Sequence, residues 1–206
     1  SGIILAGGDS TRMGMDKRFL SIQGNSLIVW VLERLRPLVD ELIVATLEPG
    51  LFDNVSTRVV TDKYPGQGVL AGVHAGLAAA RGEWAFVVAG DMPLLNPALL
   101  RAMMQVAQDS AADAIVPQWQ GELEPLHALY RPSVCAPAAE AALQAGKRRI
   151  IAFYPDVRVH VMPQAEVVCW DPEGRSFFNV NTPEDWSMAL QQLQFNQSPI
   201  APGECE

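Results

Sequence analysis

The chain is poor in the residues that announce many simple function classes. Cys135, Cys169 and Cys205 are its three cysteines in 206 residues. They stand far apart with no Cys-x-x-Cys pair, which argues against a structural zinc site and a disulfide framework. The three histidines, His74, His127 and His160, fall in separate segments without metal-ligand spacing. No run of about eighteen apolar residues exists to span a membrane, and no basic-then-apolar leader is read. Basic residues number 15 against 23 acidic ones, a net charge of −8, and that field argues against a nucleic-acid or anionic-membrane surface. A reduced, cytoplasmic protein without structural zinc is expected. The chain opens almost inside its first strand, which leaves open whether native residues precede Ser1.

Hydrophobic residues make up 49% and charged residues 18%, enough for one α/β core and little for a second. One domain over residues 1–194 is expected, followed by a flexible polar, Pro-containing tail over 195–206. There is no internal repeat, low-complexity tract or linker.

The most informative segment is the first. A short apolar run, Ile3-Ile4-Leu5, breaks into Ala6-Gly7-Gly8-Asp9-Ser10-Thr11-Arg12-Met13-Gly14-Met15-Asp16-Lys17. Gly7, Gly8 and Gly14 let backbone N–H groups approach a ligand that β-carbons would hold away, and Arg12 and Lys17 add fixed positive charge. The segment reads as a strand entering a loop for a polyphosphate, the plain alternative being a glycine turn with solvated basic residues. Two familiar loops fail on the letters. Five residues separate Gly8 from Gly14 and Met15 follows, where a P-loop has four and then Lys. The opening Gly7-Gly8 is not the Gly-x-Gly of a dinucleotide fingerprint.

Apolar spacing predicts a helix over 27–38 that stops at Pro37, a buried strand over 41–46, a strand over 58–62, and a helix over 69–81 ending before Gly82. The stretch 84–89 is apolar without alternation, as a central parallel strand buried on both faces is. Asn96 and Pro97 supply an N-cap and first position for a helix to about residue 108. This alternation implies a doubly wound, mostly parallel sheet. The second half differs: 114–117 and 126–130 read as a small antiparallel element, 132–146 as a helix, Lys147-Arg148-Arg149 as the start of a short helical turn, and 157–162 and 177–180 as strands. Thr182-Pro183-Glu184-Asp185 has the form of a capping box for a final helix.

Asp91 stands just past the 84–89 strand, where open α/β sheets place ligands. A carboxylate there suits Mg²⁺, which takes one or two protein carboxylates beside substrate phosphate oxygens; the plain alternative is a turn cap before Pro93. Asp62 ends another strand on the same edge, and serves either a base or ribose or its own turn. Gly66-Gln67-Gly68-Val69-Leu70-Ala71 does satisfy Gly-x-Gly-x-x-Ala, the strongest rival, but Lys63-Tyr64-Pro65 separates it from its strand and it leaves Arg12 and Lys17 without a role. Lys147-Arg148-Arg149 reads as a solvated face or an anion clamp. His127 is a candidate to face the cleft beside Glu124.

Taken together, Leu5-Ala6-Gly7-Gly8 with Arg12-Met13-Gly14 and Asp16-Lys17, then Gly68-Val69-Leu70-Ala71-Gly72, Asp91-Met92-Pro93, and Phe178-Asn179-Val180-Asn181-Thr182-Pro183-Glu184 closely resemble the molybdenum cofactor guanylyltransferases, in that family's order along nearly the whole chain. The resemblance implies a Rossmann-like nucleotidyltransferase fold and Mg²⁺-dependent transfer of GMP from GTP to the terminal phosphate of molybdopterin, with release of pyrophosphate. By position it implies nucleotide contacts from Leu5, Ala6, Gly7, Gly8, Lys17, Asp62, Gly68 and Asp91, catalytic roles for Lys17, Asp91 and Arg12, and the metal on Asp91. Arg148, Arg149, Asn179 and Asn181 then lie towards the pterin. It also implies GTP and molybdopterin as partners, with transient contact to cofactor-biosynthesis or acceptor proteins. Two positions depart: Val69 stands where the family often has Pro, and Ala45-Thr46 where it has Asn near the second strand's end. Cytidylyl transfer to the same pterin, another small-molecule phosphate nucleotidyltransferase, and a non-catalytic nucleotide-binding module are the alternatives.

Overall fold

The computed structural model describes residues 1–7, 20–53 and 55–195. In chain order it runs through β1 (Gly2–Leu5), a small hairpin of β2 (Ser21–Ile22) and β3 (Asn25–Ser26), α1 (Leu27–Leu35), β4 (Leu42–Ala45), β5 (Arg58–Val60), α2 (Val69–Ala79), β6 (Ala85–Ala89) and α3 (Pro97–Asp109). Then follow β7 (Ala114–Trp119), β8 (Glu122–Leu123), β9 (His127–Tyr130), α4 (Pro132–Gln144), β10 (Val159–Met162), α5 (Gln164–Trp170) and α6 (Pro183–Phe195). The main sheet has the order β10-β7-β9-β6-β1-β4-β5, with β8 paired to β7.

Because β1 and β6 are apolar at every position, they can be covered on both faces. Ile4, Val44 and Val88 face Val31, Leu99, Met103 and Val167 of α1, α3 and α5. Their neighbours Ile3, Ile43 and Val87 face Leu70, Val73, Cys135 and Ala139 of α2 and α4. The result is three layers, helix, sheet and helix. A smaller cluster of Ile22, Leu27, Val180, Ala189 and Leu193 ties the β2–β3 hairpin to α6.

The expected caps are present. Asn96 Oδ1 accepts from the Ala98 N–H at 2.9 Å, with Pro97 opening α3. Thr182 Oγ1 accepts from Asp185 N–H at 3.1 Å while Asp185 Oδ2 accepts from Thr182 N–H at 2.8 Å, a reciprocal box that starts α6.

Several expectations are corrected. The strand at 84–89 is not parallel on both sides: β6 pairs parallel with β1 and antiparallel with β9. Residues 120–126 are too few for a crossover to a parallel strand, so the chain can only turn back. Residues 177–180 form no strand. The N–H groups of Phe177 and Phe178 close onto the carbonyls of Gly174 and Arg175, and Val180 N–H goes to the Asp91 carbonyl. Lys147-Arg148-Arg149 precedes, rather than starts, a helical turn at Ile150–Asp156. Helix α5 has no counterpart in the sequence reading. Cys135 is a buried free thiol, as expected, but Cys169 is disulfide-bonded, against the expectation of isolated reduced thiols. The tail at 196–206 lies outside the described residues.

Candidate active site at the carboxyl edge of the sheet

Strand order places the site. From β1 the chain goes to β4 and β5 on one side, then crosses through α2 to β6 on the other. The order therefore reverses between β1 and β6, and a crevice opens at their carboxyl ends. Leu5 pairs with Ala45 and Ala89 in register, so Ala6 and Gly7 leave the sheet level with Thr46 on one side and Gly90-Asp91 on the other. Hydrogen bonds from Ala6 N–H to Ala45 O and from Gly90 N–H to Leu5 O, each 2.9 Å, fix that level. Gly8, Arg12 and Lys17 lie outside the described residues.

Asp91 stands one strand from β1, about 5 Å across the sheet, and Asp62 follows β5 two strands away on the other side, about 10 Å. The Asp62 carboxylate accepts from Tyr64 N–H at 3.0 Å, so turn chemistry uses one of its oxygens. Thr46 is the family departure, and its hydroxyl is spent inside the fold. It donates to Ala6 O at 3.1 Å and accepts from Glu48 N–H at 3.1 Å, buttressing the start of the loop.

Gly68 begins α2 with φ 76° and ψ −162°, a conformation open to glycine alone. A β-carbon there would lie 3.7 Å from the Arg148 carbonyl oxygen. The end of α4 thus delivers Arg148 to the helix that starts beside Asp62, on the same sheet edge, and Arg149 follows it. Asn179 and Asn181 arrive from the opposite face. Val180 N–H binds Asp91 O at 2.9 Å, Asn179 Nδ2 donates to Phe177 O at 3.0 Å, and Asn181 N–H donates to Asp185 Oδ2 at 2.9 Å. The structure therefore gathers Ala6, Gly7, Asp62, Gly68, Asp91, Arg148, Asn179 and Asn181 along one edge. Leu5 pairs inside the sheet and reaches that edge through its carbonyl.

The sequence reading did not find the strap that holds this far side. Asp171 accepts from Arg175 and Ser176 N–H groups at 3.1 and 2.8 Å. Ser176 Oγ accepts from Asn96 N–H at 3.0 Å, and Asn96 Nδ2 donates to Trp170 O at 2.7 Å. Every one of these bonds crosses a long separation or an irregular loop, so no local pattern announces them.

Charge at the edge is uneven. Burial pushes the Glu124 carboxyl up to about 7, with Glu122 adding to it. Burial alone pushes His127 down to about 3, and neither of its ring nitrogens has a hydrogen-bond partner. His74 is also lowered by burial, against the pull of Glu140 at 3.9 Å. Among the described residues there is no group of three or more His, Cys, Asp or Glu that could enclose a metal ion. Asp91 is the carboxylate at the crevice that could hold a Mg²⁺ ion, which takes one or two protein carboxylates beside water and substrate oxygens. A groove of about 430 Å³ bounded by α3, β10 and α5, with His160 and Trp170 in its wall, contains none of the candidate residues. Its strand, β10, is four strands from β1, about 19 Å.

A glycine-rich sequence follows β1, a carboxylate follows β6, and the strand order reverses between them. The MobA-like NTP transferase domain matches residues 2–159. The chain belongs to this family. A Natranaerobius thermophilus protein named probable molybdenum cofactor guanylyltransferase is 35% identical over 197 residues, covering 94% of this chain and 96% of that protein. A Chloroflexus aggregans protein of the same name is 39% identical over 200 residues, covering 94% of each. The crystal structure of molybdopterin-guanine dinucleotide biosynthesis protein A from Archaeoglobus fulgidus superposes with a TM-score of 0.81 at 30% identity, covering 94% of this chain and 98% of that one. The MobA-like architecture is thus a mixed α/β nucleotidyltransferase fold with a mainly parallel sheet. No helix among the described residues is long and apolar enough to cross a membrane.

Proposed function

We propose that this protein transfers GMP from GTP to the terminal phosphate of molybdopterin, releasing pyrophosphate. The observation that carries the reading is the crevice between β1 and β6, where Ala6-Gly7 and Asp91 flank the reversal of strand order. Full-length similarity to proteins named molybdenum cofactor guanylyltransferase supports the choice of base and acceptor.

The acceptor phosphate attacks the α-phosphorus of GTP in line with the departing pyrophosphate. Both partners are anions, so positioning and charge neutralisation supply most of the catalysis. Backbone N–H groups of the loop that begins at Ala6 and Gly7, with Arg12 and Lys17, hold the nucleotide phosphates, and Asp62 and Gly68 border the nucleoside side. Mg²⁺, held by Asp91, supplies charge stabilisation at the α-phosphate when bound. Arg148, which reaches Gly68, and Arg149 serve the acceptor's phosphate, and Asn179 and Asn181 border the rest of the acceptor. The acceptor phosphate is already ionised near neutrality, so no general base is needed, in keeping with three scattered histidines. GTP and molybdopterin are small cytoplasmic metabolites, and the protein acts there, with transient contact to cofactor-biosynthesis or acceptor proteins.

One assay tests the reading: pyrophosphate release from GTP, CTP or ATP, with and without molybdopterin and with and without Mg²⁺. Release that needs GTP, molybdopterin and Mg²⁺ together is expected. Turnover with CTP in place of GTP assigns cytidylyl transfer instead, and binding without any turnover leaves a nucleotide-binding module.

A further inference from the structure

Strand β9 enters the sheet at the edge where β1, β4, β5 and β6 leave it, and it does so through an irregularity. Gln118 pairs with Leu123 in β8, while Ile115 pairs with Leu129 in β9. Following either register along β7 gives Pro117 two different partners, Glu124 and His127. Three extra residues, Glu124-Pro125-Leu126, therefore bulge out of the ladder, a device common beside active sites.

The bulge is rigid. Glu124 N–H donates to Pro117 O at 2.8 Å and His127 N–H to Glu124 O at 3.1 Å. The Pro125 carbonyl accepts from the Tyr130 hydroxyl at 2.9 Å, and the Leu126 carbonyl from Ala89 N–H at 3.1 Å. All three carbonyls of the bulge are thus used. The Glu124 carboxyl has no hydrogen bond or ion pair among the described residues, although the group is half-buried.

An aromatic wall stands alongside. His127 meets Phe177 edge to face at 5.1 Å between centroids, and Phe177 meets Trp119 at 5.7 Å. Gly174 seats itself against the Trp119 indole so closely that a β-carbon there would overlap the ring. His127 is completely buried with both nitrogens unpaired, pressed into this wall opposite Val88, three residues before Asp91. The corner is joined to Asp91 on two sides, through the Ala89–Leu126 and Val180–Asp91 backbone bonds.

We propose that Glu124 reads the acceptor's heterocycle, its carboxylate accepting from a ring N–H and the neighbouring exocyclic amine of a 2-amino-4-oxopyrimidine edge. This rests on the guanylyl-transfer reading above. Two N–H donors side by side match the two oxygens of one carboxylate, as a guanidinium does. They would replace water at a half-buried carboxyl that has no protein partner among the described residues. They would also favour the ionised form of a carboxyl that burial otherwise raises to about 7.

Guanine carries the same edge as a pterin, so position must decide. Asp62 follows β5, and Glu124 precedes β9, four strands or about 19 Å away across the sheet. With the phosphates at β1 between them, the nucleoside occupies the Asp62 side and Glu124 is left to the acceptor.

The test compares the parent with Glu124→Gln, which keeps the shape and removes the charge, and with Glu124→Asp. Steady-state turnover is measured with GTP and molybdopterin varied in turn, and ITP, which lacks the 2-amino group, replaces GTP in a third series. Thermal unfolding of each variant monitors the fold. For Glu124→Gln we expect the KM for molybdopterin to rise roughly 10- to 100-fold, the scale of a hydrogen bond to a charged group, with the KM for GTP and the GTP-to-ITP preference unchanged. Glu124→Asp should recover part of the loss. An unchanged molybdopterin KM overturns the inference, as does a change confined to kcat or a shift in the GTP-to-ITP preference, which would move Glu124 to the nucleotide. If the parent itself fails to turn over GTP with molybdopterin, the functional reading falls rather than the role of Glu124 within it.

Discussion

The two flanks of the sheet edge are built by different rules. On the β1, β4, β5 side, strands are parallel, Ala6, Gly7 and Asp62 come within two residues of a strand's end, and Gly68 opens the helix that follows. On the β9, β7, β10 side, the candidate residues precede an antiparallel strand or hang on a strap, and long-range bonds hold them, such as Asn96 to Trp170 and Val180 to Asp91. On the function proposed above, the nucleotide flank is local in sequence and the acceptor flank is assembled by tertiary contacts. Catalysis of a shared chemistry suits the first, and choice of acceptor suits the second.

The sharpest test of this division lies at the boundary. Asp91→Asn is expected to cut Mg²⁺-dependent turnover by about 10³-fold or more, the worth of several kcal/mol of charge stabilisation, with the thermal midpoint unchanged. Full activity would remove Asp91 from the metal. Lys17→Ala should cost about 10²–10³ in kcat, and a loss under tenfold in single-turnover experiments would contradict its role on the phosphates.

A third substitution attacks the acceptor flank alone. Gly174 has φ 61° and no space for a β-carbon beside Trp119, so Gly174→Ala combines strain with overpacking and should destabilise by about 2 kcal/mol in denaturant titration. The KM for the acceptor should rise while that for GTP holds. Equal changes in both would mean that the flanks are not separable.

A third measurement uses pH. Glu124 titrates near 7 in the folded protein against an ordinary 4.5, so the folded state holds a proton that the unfolded chain releases between those values. Its contribution to stability is intact below 4.5 and is lost as pH rises towards 7. Glu124→Gln should therefore gain on the parent over that window by up to about 1 kcal/mol per pH unit, the full linkage slope being reduced by solvent at a half-buried group. His127 works in the other direction, since its buried ring refuses a proton until about 3. The difference between parent and variant isolates Glu124, and parallel stability curves would refute its shift.

The smallest effect belongs to Val69, the position at which the sequence resemblance leads one to expect Pro. It is the first residue of α2 and 49% exposed, a position that tolerates proline because its N–H is unneeded by the helix. Val69→Pro should change stability by no more than about 0.5 kcal/mol, read from the denaturant midpoint.

Legibility followed the same divide. The strands at 3–5, 42–45 and 85–89, the Asn96 cap and the Thr182–Asp185 box could be read because each rests on neighbours within a few residues. The pairing of β9 against β6, the short helix α5 and the irregular path of 177–180 could not, since a strand's second neighbour, a groove-filling helix and a strap are chosen by what lies across the fold. The same limit applies to the site. Asp62, Gly68 and Asp91 fall beside the strands and helix that carry them, whereas the approach of Arg148 to Gly68 depends on the whole length of α4.

The bulge at Glu124-Pro125-Leu126 has a consequence for how such a protein can change its acceptor. It lies in a hairpin that closes on its own starting strand, so residues 120–125 can be lengthened, shortened or rewritten without re-threading any crossover, as long as Leu126 keeps its bond to Ala89 of β6. The nucleotide half and the acceptor half are therefore separately editable, and novelty in the second carries little risk for the first.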